Sequence, residues 1–133
     1  MSEADEIRAA IAANEAFYRA FAAGDAGAMD SLWATTTPVL CVHPGEPPLH
    51  GRAAVLERWR AILAAPPSIR ASEVRVAVIR GVALVTCLEL IEASVLCATN
   101  VFVWEDARWR LVHHHAGPVQ RVVVAGAPRG PLH

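Results

Sequence analysis

Six histidines occur in the chain, and three of them are consecutive. Imidazole titrates near pH ~6.5, so a histidine can take or give a proton at neutral pH. His43 is the sharpest candidate. It follows a β-branched run and precedes Pro44-Gly45, a place where a strand end can aim a side chain into a cavity. The plainer reading is a histidine bonded to a loop carbonyl. Asn100 lies in an otherwise apolar run, and a buried amide needs partners. It could donate to a substrate carbonyl or a developing oxyanion. It could equally pair with neighbouring backbone or with His43. The run His113-His114-His115 poses a question of parity, because successive strand residues point to opposite faces. Either His114 shares a face with Val112 and Ala116, or His113 and His115 share one with Trp109 and Leu111. Zinc would need three or four N, S or O ligands. No carboxylate or cysteine pattern completes such a set around the histidines, so no metal site is assigned.

The other chemistry-bearing residues divide more simply. Asp25 and Asp30 suit a helix cap and a helix first turn. Glu89 falls on an apolar run and is expected to pair with Arg75 or Arg80 across a sheet; a pocket carboxylate is the sharper alternative. Tyr18, the only tyrosine, either brings its hydroxyl to a pocket mouth or packs in the core. Phe17, Phe21, Trp33, Trp59, Phe102 and Val112 would line an apolar cavity or fill it. There is no glycine-rich phosphate loop and no dinucleotide fingerprint, so no cofactor is expected.

These residues must be positioned by a definite order of elements. Ser2-x-x-Asp5 is a capping box, and Ile7, Ile11, Asn14, Phe17, Tyr18 and Phe21 recur at helical spacing. Gly24 ends that helix, and Asp25 caps a short second one through Leu32-Trp33. Thr36 to His43 reads as a short strand. Pro44 to His50 reads as a proline-ordered loop. Arg52 to Leu63 returns to helical spacing and ends at Pro66-Pro67. Four strands then follow: Val74 to Arg80, Val82 to Glu92, Leu96 to Trp104 and Trp109 to Ala116. Their short links make them antiparallel neighbours. The tail carries Val122-Val123-Val124, a candidate further strand. Helices first and strands after predict an α+β domain, with three helices on one face of a curved antiparallel sheet. A single domain is expected over residues 1–133, with its core in 5–117 and a tail in 118–133.

The strands are apolar on both parities. Leu84, Leu88 and Leu90 share one face, and Val85, Cys87 and Ile91 the other. A half-exposed sheet should alternate more cleanly. With only three helices available, a second copy of the chain is the expected cover for the outer sheet face, giving a homodimer.

Composition narrows the partners. The chain has 133 residues, 54% of them hydrophobic, and a formal net charge of −1. That balance offers no electrostatic case for nucleic acid or an anionic membrane surface. No apolar run is long enough to span a bilayer. The acidic start Met1-Ser2-Glu3-Ala4-Asp5-Glu6 is not a secretory signal, and a cytoplasmic setting is expected. Cys41, Cys87 and Cys97 show no disulfide or zinc-ribbon spacing and read as small buried hydrophobes.

Several stretches, in this order, resemble the nuclear transport factor 2-like superfamily and its SnoaL-like domains. They are Phe17 to Asp25, Leu32-Trp33, Val42-His43-Pro44-Gly45, Leu49-His50-Gly51-Arg52 leading to Trp59, Ala98 to Phe102, and Trp109 to His115. The resemblance implies a cone-shaped, cystatin-like fold with an apolar pocket between the helices and the concave sheet face. It also implies a dimer through the other face. Ketosteroid isomerases in this superfamily place an aspartate base where His43 stands. Their oxyanion-hole tyrosine and aspartate fall at Phe17 and Asn100, so none of the three is retained. The association domain of calcium/calmodulin-dependent protein kinase II has a similar Val-His-x-His ending, but its pocket arginines fall at Asn100 and Ala116. Both likenesses place His114 on the pocket side. Two functions remain open. One is an isomerase, dehydratase or cyclase acting on an apolar carbonyl compound through His43, Asn100 and His114. The other is a non-catalytic module that binds a small apolar molecule or assembles with itself.

Overall fold

A computed structural model describes residues 1–120. Helix α1 spans Glu3–Ala23 and opens on the expected capping box, in which Ser2 and Asp5 each accept from the other's backbone N–H. It closes on Gly24 at φ 66°. Helix α2, Ala26–Leu32, is capped by Asp25 through the Ala28 N–H at 3.0 Å. Strand β1 is Leu40–Val42, β2 is Leu49–His50, and α3 is Arg52–Leu63. Strands β3 (Ile69–Ile79), β4 (Val82–Ile91), β5 (Ser94–Glu105) and β6 (Arg108–Pro118) follow. They form one six-stranded sheet in the order β2-β1-β6-β5-β4-β3. Neighbours are antiparallel except β1 with β6, which run parallel. This is the expected α+β architecture, three helices on a curved sheet.

Several boundaries differ from expectation for identifiable reasons. The first strand is Leu40–Val42 rather than Thr36 to His43. Residues 35–37 are withheld from the sheet by Glu105. Its carboxylate accepts from the backbone N–H of Thr35, Thr36 and Thr37 and from the hydroxyls of Thr35 and Thr37, at 2.8–3.3 Å. Those five donors hold the carboxyl well below its usual range. Within the expected proline loop, Leu49–His50 pairs with β1. Strand β3 begins at Ile69 rather than Val74 and carries a bulge at Glu73, φ 53°. The candidate strand Val122 to Val124 lies outside the described residues. Of the cysteines, Cys41 and Cys87 are buried but Cys97 is exposed.

The core fills the space between the helices and the concave face. Phe17 from α1, Trp33, Trp59 from α3, and Phe102 and Leu111 from the sheet are among its most buried side chains, and Phe21 of α1 packs with them. Arg52 ties α3 to α2 by donating to the carbonyls of Asp30, Trp33 and Ala34 at 2.7–3.0 Å.

Candidate active site

The concave sheet face presents alternate residues of each strand. Cys87 and Glu89 of β4, Asn100 of β5, His114 of β6 and Cys41 of β1 all point inward and are buried. The parity question at the histidine run is resolved by a bulge. Val101 pairs with His113, but Phe102 pairs with Leu111. Val112 is the extra residue. A bulge resets parity, so Trp109, Leu111, His114 and Ala116 are all buried together. The alternation with His114 and Ala116 inward holds for those two residues and fails at Val112, where the bulge turns Leu111 and Trp109 inward as well. Val112 lies half-buried at the bulge, and His113 and His115 face the outer side, His113 against the Leu40 carbonyl at 3.1 Å.

A buried polar chain crosses this floor. Asn100 Nδ2 donates to Asn14 Oδ1 at 2.9 Å and to Tyr18 Oη at 3.1 Å. Its Oδ1 lies 2.6 Å from His114 Nδ1. Tyr18 Oη lies 2.6 Å from Glu89 Oε2, and the Cys87 thiol donates to Tyr18 Oη at 3.2 Å. Asn100 is 0% exposed, and both its amide donors are committed within the protein. Glu89 does not pair with Arg75 or Arg80. It faces inward, 1% exposed, and its partners are Tyr18 and His114. The register explains why. Glu89 shares the odd-numbered face of β4 with Ala83, Val85 and Cys87, while Arg75 stands opposite Thr86 on the other face.

His43 lies at the end of β1, 5% exposed, with Nε2 3.5 Å from Cys41 Sγ. Its ring is 4.8 Å from that of Trp59 and 6.1 Å from that of His114, centre to centre. Phe17 and Trp59 flank His114 at 5.1 and 5.7 Å. Phe21 stacks edge-on against Trp59 at 4.8 Å. Thus His43, Asn100, His114, Phe17, Tyr18, Phe21 and Trp59 converge on one centre. Trp33 and Phe102 are buried in the same core.

Burial dominates the electrostatics. Desolvation pushes His43 down to about 4 and His114 down to about 3. The Cys41 thiol is pushed up to about 12 and that of Cys87 to about 11, both mainly by burial. Burial also raises Glu89 and, with the Glu89 charge, Tyr18. By distance alone, His114 Nε2 and Glu89 Oε2 at 3.8 Å form an ion pair. Desolvating two charges in so closed a place costs several kcal/mol per ion, and both groups are shifted towards their neutral forms. Burial thus favours the uncharged form of each partner, which argues against a strong ion pair across this contact. Arg58, whose charge acts on His43, is engaged by Glu46 through two bonds at 2.9 and 2.5 Å. Among the described residues, no group of three or more His, Cys, Asp or Glu side chains is placed to hold a metal ion.

Residues 10–119 match the SnoaL-like domain family. The chain belongs to that family. Two solved structures are similar to this SnoaL-like domain in sequence as well as fold. One, from Streptomyces avermitilis, is provisionally described as a dehydratase of the nuclear transport factor 2-like family. It is 35% identical, the match covers 90% of this chain and 100% of that one, and the TM-score is 0.83. The other, from Thiobacillus denitrificans, is provisionally described as a calcium/calmodulin-dependent protein kinase type II association domain. It is 33% identical, with 83% and 94% of the two chains covered and a TM-score of 0.75. A curated relative, F-box protein SKIP8 of Arabidopsis thaliana, is 27% identical over 125 residues. The match covers 88% of this chain but only 54% of SKIP8.

Asn14, Cys87 and Glu89 are the site residues that sequence reasoning underused. Asn14 carried a signal, being an amide within the otherwise aliphatic and aromatic stripe of α1. Glu89 carried a weaker one, since its parity matches that of Val85 and Cys87.

Proposed function

We propose that this SnoaL-like domain is a small proton-transfer enzyme of the isomerase or dehydratase type, acting on an apolar, carbonyl-bearing small molecule. One observation carries the reading. Two imidazoles from different strands, held neutral by burial, stand 6.1 Å apart at the floor of an apolar centre. A neutral imidazole is the form that accepts a proton. His43 is the base that takes the proton next to the carbonyl, and His114 is its partner. Phe17, Phe21 and Trp59 supply the apolar surround. Asn100 changes role from the one expected of it. With both amide donors engaged it does not serve an oxyanion; it fixes the orientation and tautomer of His114. The likeness to the Streptomyces protein described as a dehydratase supports this reading. The three free thiols suit a reducing, cytoplasmic setting.

Proton transfer is read by NMR as deuterium exchange next to the carbonyl of small apolar ketones in D2O. The wild type should catalyse exchange, with His43→Ala slower by about 10²–10⁴ while its circular dichroism is unchanged. The rate should be level at neutral pH and fall as His43 protonates towards pH 4. Full exchange by His43→Ala would overturn the assignment.

A second reading, self-assembly, is favoured by the likeness to the Thiobacillus association domain and by the uncovered outer sheet face. It is compatible with the first, since the two use opposite faces of the sheet.

A further inference from the structure

The buried polar chain fixes what His114 and Glu89 can offer a ligand. Asn100 Nδ2 donates to Asn14 and Tyr18, so the atom facing His114 is Oδ1, an acceptor. The proton of that 2.6 Å bond therefore belongs to His114 Nδ1. A neutral imidazole has one N–H, so Nε2 presents a lone pair. No described residue hydrogen-bonds to it. Tyr18 Oη already accepts from Asn100 and Cys87, so its single proton goes to Glu89 Oε2. Glu89 has no arginine in contact and is 1% exposed, surroundings that favour its protonated form, and in that form it has a proton of its own to give.

These two groups face each other at 3.8 Å. The gap is too long for a hydrogen bond between them. An oxygen placed beside the gap, within hydrogen-bond distance of each, would bridge the two. It must donate to His114 Nε2 and accept from Glu89, which a hydroxyl does and a carbonyl or ether does not. The other groups facing the gap add no fixed charge. They are Asn14 and Tyr18 from α1, Cys87 from β4, Asn100 from β5 and His43 from the end of β1. A carboxylate or ammonium ligand would find no counter-ion there.

We propose that the gap between Glu89 and His114 is a subsite for a ligand hydroxyl, and that the ligand is an uncharged β-hydroxy carbonyl compound. The proposal rests on the proton-transfer reading and narrows it to elimination of water. His43 takes the proton from the carbon between the carbonyl and the carbinol. The C–H electron pair forms the C=C bond as the C–O bond breaks. The hydroxyl leaves with the Glu89 proton as water, while His114 orients it. Glu89 ends as a carboxylate and His43 as an imidazolium, and one proton returned through solvent restores both. Glu89 is thereby a catalytic residue.

Diacetone alcohol, a β-hydroxy ketone, and methyl isobutyl ketone, the same skeleton without the hydroxyl, form the test pair. Binding is followed by ¹⁵N NMR of labelled histidines, and turnover by ultraviolet absorbance of the conjugated enone. The wild type should bind the hydroxy ketone at least about tenfold more tightly, the scale of one hydrogen bond to a buried polar pair. Only the hydroxy ketone should shift the His114 Nε2 resonance, and it should be dehydrated. Glu89→Gln keeps an acceptor for Tyr18 and an N–H for the ligand. It should therefore retain the binding preference and lose turnover. Absence of preference for the hydroxy ketone, including failure of both to bind, overturns the subsite. So does full dehydration by Glu89→Gln. If the preference is absent but His43→Ala still abolishes ketone exchange, the subsite falls and the proposed function stands. If Glu89→Gln behaves as expected but His43→Ala exchanges normally, the base assignment falls instead.

Discussion

At His43 and His114, burial acts on the proton balance of folding as well as on chemistry. In the unfolded chain a histidine titrates near pH ~6.5. In the folded protein His43 binds its proton only near pH 4 and His114 near pH 3. Their stabilising contribution is complete above pH ~6.5 and is lost as the pH falls from there towards the folded values, because the unfolded state then binds more protons. The His43 displacement alone corresponds to roughly 3 kcal/mol. Glu89 has the opposite sign. Its folded value is raised, so it opposes folding once the pH exceeds the ordinary carboxylate range. Thermal unfolding followed by circular dichroism should show Tm falling between pH 7 and pH 4, with a shallower fall in His43→Gln. Glu89→Gln should raise Tm at pH 7 and leave it little changed at pH 4. An equally steep fall in His43→Gln would show that the ring is not held neutral by the fold. Sequence reasoning selected His43 and Asn100 because a histidine before Pro-Gly and an amide in an apolar strand are visible in one dimension; His114 came from the family resemblance, since periodicity left its face open. It misassigned Glu89, because a partner 71 residues away on α1 leaves no mark on the local pattern.

At the scale of elements, hydrophobic period specifies the three helices and most of the late strands, and side-chain caps fix the starts of α1 and α2. Long-range polar contacts move the remaining boundaries. The Glu105 carboxylate draws residues 35–37 out of the first strand, and the bulge at Val112 changes the face of everything before it in β6. Neither is a feature of local composition. Gly24 is different, since its role is local and legible. It ends α1 in the left-handed region at φ 66°, where an L side chain costs about 1–2 kcal/mol. It also packs tightly against the end of α3. A Cβ there would lie 2.9 Å from the Leu63 carbonyl oxygen and 3.0 Å from Pro66. Backbone must shift to admit it, so Gly24→Ala should cost more than the conformational term alone, about 2 kcal/mol or above in urea unfolding. A loss under about 0.5 kcal/mol would mean that the α1–α3 junction yields easily. Because this junction seats Trp59 against Phe17 and Phe21, the same variant should broaden the indole resonance of Trp59.

The whole molecule is asymmetric in how its sheet is covered. The inner face is filled by helices. The outer face carries Leu84, 37% exposed, with half-buried Leu88 and Leu90 of β4 and Val95, Val101 and Val103 of β5 beside them. Four long strands at ~4.8 Å spacing and ~3.3 Å per residue make a face of roughly 19 by 33 Å. That approaches the ~800 Å² per partner of a standard interface. Arg70 and Arg75 on β3 and Arg110 on β6 place charge towards its edges, and His113 and His115 add titratable groups on the β6 side. Thr86 and Thr99 pair in the middle of this face, among the apolar side chains. An exposed apolar patch of this kind marks an interaction site, and a second copy of the chain is the partner proposed for it. The wild type should therefore sediment as a dimer at micromolar concentration near pH 7. Leu84→Arg puts a charge into the apolar part of the face, and desolvating it in a contact between copies is costly. It should sediment as a monomer while keeping its circular dichroism and the His43-dependent exchange on the opposite face of the sheet. A wild-type monomer would leave the apolar outer face without its partner. Loss of exchange together with the dimer would mean that the sheet transmits the interface to the site, and that the two faces are not independent.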